Sequence, residues 1–255
     1  MNTEVGVAYI ITNQEGAKHK EVFERYCSKS ISYVKSLRDL PVVVASFGSS
    51  DNVKADFYVN NQDYVSEYVD QVDGNALILA EIMKTHICEW SPFDRTIYID
   101  CDAIPIHKDF TDYIRVLDLG FELSITTCVT MAWKDSIRQA PIRSHITRPI
   151  PSYYPYWNFG VFGSDKINSK SIMENIRENY FKYAFERGSF MRSGGGTPHA
   201  QPAVSQTAVD RSPDHKIFTM PARYNCHFSF GGYVFSGGDT VVLHAWKDSR
   251  DLILG

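Results

Sequence analysis

Two rhythms alternate along the first hundred residues. Val5-Gly6-Val7-Ala8-Tyr9-Ile10-Ile11 is almost continuously apolar, the pattern of a short strand covered on both faces. After Thr12-Asn13-Gln14-Glu15-Gly16 the spacing changes: Val22, Phe23, Tyr26, Cys27, Ile31 and Val34 fall on one stripe of a helix. Pro41 to Phe47 predicts a second buried strand, closed by Gly48-Ser49-Ser50, and Asp56 to Val59 a short third. Ala76 to Met83 begins a strongly apolar helix that runs towards Trp90. Beyond the Ser91-Pro92-Phe93-Asp94 turn, Thr96 to Ile99 reads as another strand. Strands alternating with helices in this way predict an α/β chain with a mainly parallel central sheet flanked by helices.

The second half is more broken. Leu123 to Thr127 predicts a strand. Trp133 to Trp157 holds four of the 11 prolines and little periodicity, which predicts a long loop. Asn158 to Gly163 predicts a short strand, followed by a helix carrying Ile172, Met173, Ile176, Tyr180 and Phe181. Gly188 to Ala200 contains Gly194-Gly195-Gly196 and predicts a mobile loop. Thr240 to His244 closes the series as a strand. No internal repeat, low-complexity tract or linker interrupts the chain, so a single domain over residues 1–255 is expected.

Composition narrows the function classes. With 255 residues, 44% hydrophobic and 22% charged, the chain can bury a substantial core. A net charge of -4 argues against broad electrostatic binding of nucleic acid. No run approaches the roughly 20 apolar residues of a membrane span. Met1 to Glu4 lacks the basic start of a signal peptide, and five scattered cysteines with no C-x-x-C pair read as reduced thiols, so a cytoplasmic protein is expected. Aromatic residues reach 13%, which suits either a rich core or stacking surfaces.

Asp100-Cys101-Asp102 directly follows the Thr96 to Ile99 strand. A bare D-x-D is a common accident. Its place gives it weight, because ligands of open α/β sheets sit beyond the carboxyl ends of the strands. Paired carboxylates on a tight turn suit a hard divalent cation with room for phosphate oxygens. A solvated turn, or an aspartate capping the next segment, would use the same residues.

The segment Ser91 to Asp102 resembles the D-x-D region of GT-A glycosyltransferases, and most closely the glycogenin and lipooligosaccharide galactosyltransferase branch, family 8. Three later segments are similar in the family's order: Tyr156-Trp157-Asn158-Phe159-Gly160-Val161, Gln201-Pro202-Ala203-Val204 and Val241-Val242-Leu243-His244. The resemblance implies a GT-A domain and a sugar transferred, with retention, from a nucleotide sugar to a carbohydrate or other hydroxyl acceptor. A UDP-sugar is the favoured donor, with Mn²⁺ or Mg²⁺ on Asp100, Asp102 and His244. It further implies that Asn158 and Gln201 lie at the reacting sugar, and that Ile11, Thr12, Asn13, Lys84, Cys101 and Lys247 line the donor site.

Two departures bear on the chemistry. The family's Asp before the Gln is Ala200 here, and the usual ending is shortened to His244-Ala245-Trp246-Lys247. Each residue also has a plainer use: Asn158 and Gly160 in strand packing, Thr12 and Asn13 in an ordinary turn, Lys84 as a solvated lysine, His244 as a structural histidine. Tyr153-Tyr154-Pro155-Tyr156-Trp157 offers either an acceptor platform or core. Lys134, Arg138, Arg143 and Arg148 would suit an acidic acceptor or simply a solvated loop. A haloacid-dehalogenase-like phosphohydrolase, with Asp100 as nucleophile and Asp102 as general acid, is the enzymatic alternative. A catalytically silent nucleotide- or glycan-binding module, favoured by Ala200, is the other. A dinucleotide oxidoreductase lacks its G-x-G-x-x-G.

Overall fold

The computed structural model describes residues 4–11, 20–47, 52–72, 75–127, 155, 157–184, 200–227 and 239–245. The first half follows the predicted alternation: β1 (Val5–Ile11), α1 (Lys20–Arg38), β2 (Val42–Ser46), β3 (Phe57–Asn60), α2 (Gln62–Val65), α3 (Ala76–Thr85), α4 (Ile87–Trp90) and β4 (Arg95–Ile99). The second half adds β5 (Ala103–Pro105), α5 (Asp112–Leu117), β6 (Leu123–Thr127), β7 (Trp157–Asp165), α6 (Lys170–Ala184), α7 (Gln201–Asp210), β8 (Ile217–Met220), β9 (Cys226–His227) and β10 (Val242–His244). Seven strands form one sheet in the order β3-β2-β1-β4-β7-β6-β8, and β5-β10-β9 form a second, smaller one. In the large sheet every pairing is parallel except the two made by β7.

Strand alternation divides the core in two. Val7, Tyr9 and Ile11 of β1, Val42 and Val44 of β2, and Ile97 and Ile99 of β4 pack with Cys27, Ile31 and Val34 of α1. Ala8, Ile10, Val43, Ala45 and Tyr98 point the other way, against Leu79, Ile82 and Met83 of α3 and Ile172, Met173 and Ile176 of α6. Both faces of the sheet are therefore covered, which is why these strands read as unbroken apolar runs. Among the described residues, no helix is long and apolar enough to cross a membrane.

Three local details depart from the pattern reading. The helix towards Trp90 is interrupted at His86, and α3 and α4 are separate elements. Thr85 Oγ1 donates to the Ile82 carbonyl and Trp90 Nε1 to the Met83 carbonyl, so side chains satisfy acceptors where the ladder stops. Asn75 starts α3, its side-chain oxygen accepting from the amides of Leu77 and Ile78. Short β5, β8 and β9 carry too few residues to show a period. Trp157 lies in the core at 1% exposure, and its indole donates to Thr219 Oγ1, so for this residue of the aromatic cluster core filling is the outcome. The segments 128–154 and 188–199 lie outside the described residues.

Gly6 shows how closely β1 meets the turn that leads into β4. A Cβ at this position would run into the buried Phe93 ring. Gly6→Ala is expected to cost about 1–3 kcal/mol through overpacking, measured by urea unfolding. Unchanged stability would show that Phe93 can move aside freely.

Candidate functional site

The turn after β4 is held by backbone and by α1 before any site chemistry enters. The Ala103 amide donates to the Asp100 carbonyl at 2.9 Å, closing the turn. Ser30 of α1 donates to the Ala103 carbonyl at 2.7 Å and pairs with Tyr9 OH at 2.8 Å. Cys101, between the two aspartates, turns inward: its thiol contacts the Ile10 carbonyl at 3.2 Å, and it is 5% exposed. Its hydrogen bond with Cys27 and its burial push the thiol well above its ordinary pKa, and the neighbouring carboxylates add to the rise. Cys101 faces the core, while the carboxylates of Asp100 and Asp102 come together with His244.

β10 brings in the imidazole. It runs antiparallel to β5 with His244 opposite Ala103, and the Ala245 amide donates to the Asp102 carbonyl at 2.9 Å. His244 Nε2 then lies 3.2 Å from Asp102 Oδ1. One ligating atom each from Asp100, Asp102 and His244 lies within 4.8 Å of the others. The sequence separation of 142 residues between Asp102 and His244 is closed by three-residue strands.

Asp100 is shared between two environments. Its Oδ1 accepts from Tyr98 OH at 2.7 Å and faces Lys84 Nζ at 2.9 Å. Lys84 also bonds Glu81 Oε1 at 2.9 Å and sits over the Tyr98 ring. Lys84 is thus a buried counter-charge, and the solvated reading is corrected. Burial opposes its charge, but Asp100 and Glu81 outweigh that, and its pKa is raised. Burial likewise pushes Asp100 upward, with Lys84 and His244 pulling down and Asp102 and Glu81 adding to the rise. Tyr98, raised by burial and by the Asp100 charge, stays a hydrogen-bond donor.

The other side of Asp100 faces β7. The Asp100 amide donates to the Gly160 carbonyl at 2.8 Å. A Cβ on Gly160 would stand 2.6 Å from Asp100 Oδ2 and 2.6 Å from His244 Cε1, so only glycine fits. The pairing of β7 with β6 jumps here: Ile125 faces Phe162 while Thr126 faces Asn158. The bulge lies on the stretch of β7 that carries Asn158 and Gly160. Asn158 Oδ1 accepts from the Gly160 amide at 2.8 Å and from Asn225 Nδ2 at 3.0 Å, and Asn225 Oδ1 lies 2.9 Å from His244 Nδ1.

Gln201 opens α7, directly after Ala200, whose amide donates to Glu81 Oε2 at 2.9 Å. Glu81 therefore ties the start of α7 to Lys84 and through it to Asp100. Ile11 is the last residue of β1 and is wholly buried. Thr12, Asn13 and Lys247 lie outside the described residues. Asn225, Tyr98 and Glu81 were not singled out in the sequence. Nothing in a lone Asn225 or Tyr98 marks it, but Glu81 precedes Lys84 by three residues on a buried helix face, which was a readable signal for a paired charge.

The donor set fits a divalent cation. Asp100 and Asp102 offer carboxylate oxygens and His244 an imidazole nitrogen, with Lys84 paired to Asp100 and to Glu81 behind them.

No family model and no curated protein matches the chain by sequence. Solved structures do. Mouse xyloside xylosyltransferase 1 in its apo form superposes with a TM-score of 0.58 at 12% identity, covering 94% of this chain and 97% of that one. The galactosyltransferase LgtC, in complex with donor and acceptor sugar analogs, gives 0.54 at 11% identity over 96% and 88%. The WbbM bifunctional glycosyltransferase gives 0.54 at 9% identity, covering 96% of this chain and 46% of its own. The chain has the GT-A fold of these glycosyltransferases, with a mainly parallel central sheet flanked by helices.

Lys84→Met removes the counter-charge of two carboxylates while keeping the volume. Breaking such a pair from one side costs about 3–5 kcal/mol, and the expected result is a loss of this size in urea unfolding at neutral pH. A loss below about 1 kcal/mol would show that the cluster is effectively solvated.

Proposed function

We propose that the protein is a metal-dependent glycosyltransferase that moves a sugar from a nucleoside diphosphate sugar, most suitably a UDP-sugar, to a hydroxyl of a glycan or similar acceptor. The observation that carries this reading is the convergence of Asp100, Asp102 and His244 at the carboxyl end of β4, on a chain with the GT-A fold. Those three residues would hold Mn²⁺ or Mg²⁺. When bound, the cation supplies Lewis-acid stabilisation of charge on the departing diphosphate.

The protein's own groups divide the remaining work. Tyr98 and Lys84 fix one oxygen of Asp100, so the other stays directed at the site without rotamer search. Gly160 keeps the backbone of β7 against that oxygen. Asn158 and Gln201 are assigned to the reacting sugar, where amide dipoles favour an oxocarbenium-like transition state over the neutral donor. An active-site glutamine is also what the LgtC structure of a Gln-to-Glu active-site mutant names in that enzyme. Ile11, at the end of β1, and Thr12 and Asn13 after it are assigned to nucleobase and ribose, the backbone beside Cys101 to the donor, and Lys247 to the diphosphate. With Ala200 in place of a carboxylate, retention would proceed without a protein nucleophile on α7. Residues 1–255 are read as one domain, in the cytoplasm.

A thermal-shift panel of nucleotide sugars with Mn²⁺, and with a chelator, tests the reading. Stabilisation of about 2.7 kcal/mol is expected at a hundredfold excess over the dissociation constant, present only with metal and lost in Asp102→Ala. Silence towards every nucleotide, with phosphate released from phosphomonoesters, would overturn it in favour of a phosphohydrolase. Gly160→Ala is expected to keep the fold and lose at least tenfold in Mn²⁺ affinity, since its methyl group enters the ligand space, as measured by manganese EPR. Wild-type affinity in that variant would place the cation elsewhere.

A further inference from the structure

We propose that Asn225 is a positioning residue that fixes the tautomer of His244, in a relay whose polarity is set by one backbone amide. The Gly160 N–H donates to Asn158 at 2.8 Å. A peptide N–H is only ever a donor, so the Asn158 atom facing it is the oxygen, and the amide cannot be flipped. That same oxygen receives Asn225 at 3.0 Å, so Asn225 presents its NH₂ group there. Its carbonyl oxygen is then the atom facing His244 Nδ1 at 2.9 Å. An acceptor opposite Nδ1 requires the proton to be on Nδ1.

In the neutral form of the ring this leaves the lone pair on Nε2, the nitrogen 3.2 Å from Asp102 Oδ1. A lone pair and a carboxylate so placed need a cation between or beside them, a proton or a metal ion, and repel otherwise. The relay is dry: Asn158 and Asn225 are each 3% exposed and His244 5%. Burial makes a wrong orientation costly, since a reversed amide would put donor against donor at Gly160. Asn225 sits just before β9, whose parallel pairing with β10 sets Cys226 opposite Leu243 and His227 opposite His244, so the Asn225 side chain reaches the ring from the strand next to it. The inference rests on the metal-site reading for its purpose, though not for its geometry.

Long-range ¹H–¹⁵N correlation on histidine-labelled protein, metal-free and at a pH where the ring is neutral, reads the tautomer directly. The His244 signals are identified by their loss in His244→Gln. The Nδ1–H form is expected, and the Nε2–H form in the wild type overturns the proposal without any variant. Asn225→Leu is expected to mix the two tautomers and to weaken Mn²⁺ about 10- to 100-fold, read by EPR. Asn225→Asp keeps an acceptor for Nδ1–H and is expected to keep the tautomer. Retention of both tautomer and Mn²⁺ affinity in Asn225→Leu would also overturn the proposal. A wild type with the Nδ1–H form but no affinity for Mn²⁺ supports the relay and sinks the metal reading, so the two failures are distinguishable.

Discussion

The approach of β4 and β7 at Gly160 is the contact on which the site depends. Asp100 follows β4, and its amide reaches the Gly160 carbonyl. That bond sets the carboxylate against a residue with no side chain, where any Cβ would overlap Asp100 and His244 together. Close approach of two backbones is a strand-level constraint, paired from Arg95–Asp165 through Ile99–Val161. Asp100 therefore inherits the rigidity of the sheet, and the register shift of β7 against β6 falls on the stretch that carries Asn158 and Gly160.

Charge binds the second layer. Three carboxylates within one hydrogen-bonded cluster would repel strongly in a buried setting, and Lys84 offsets that from inside α3. Glu81 gives one oxygen to Lys84 and the other to the Ala200 amide at the head of α7. Ala200 has no side-chain cap of its own, so a carboxylate from another helix meets one of the orphan donors there. A displacement of α7 would disturb Glu81, and through it Lys84 and Asp100. Under the proposed reading, this is how the helix beginning at Gln201 stays in register with the donor side.

Much of this was legible in the sequence, and for identifiable reasons. β1, α1, β2 and β4 announce themselves because both faces of the sheet are covered, leaving runs too apolar for any other use. Asp100 and Asp102 stand out by their place after such a run. Lys84 was misjudged as solvated because a lone lysine in sequence shows no partner; its partners are one turn back on the same helix and 16 residues ahead beyond the next strand. Asn225 was invisible for a stronger reason. Its role exists only through a hydrogen bond to Asn158, 67 residues away, and another to His244, 19 away. Neither distance carries a period. The break at His86 was hidden as well, since Ala76 to Trp90 keeps its apolar content while the backbone changes course.

The net charge of -4 first spoke against nucleic acid. The site refines that inference. Carboxylates repel a diphosphate, and Lys84 is already paired with Glu81 and Asp100 and is buried. Under the proposed reading, a cation held by Asp100, Asp102 and His244 would offset that repulsion, beside the Lys247 assigned to the diphosphate. The same carboxylates that oppose the nucleotide would then favour the metal that bridges to it. The Nδ1–H tautomer held by Asn225 would turn the Nε2 lone pair of His244 to that metal.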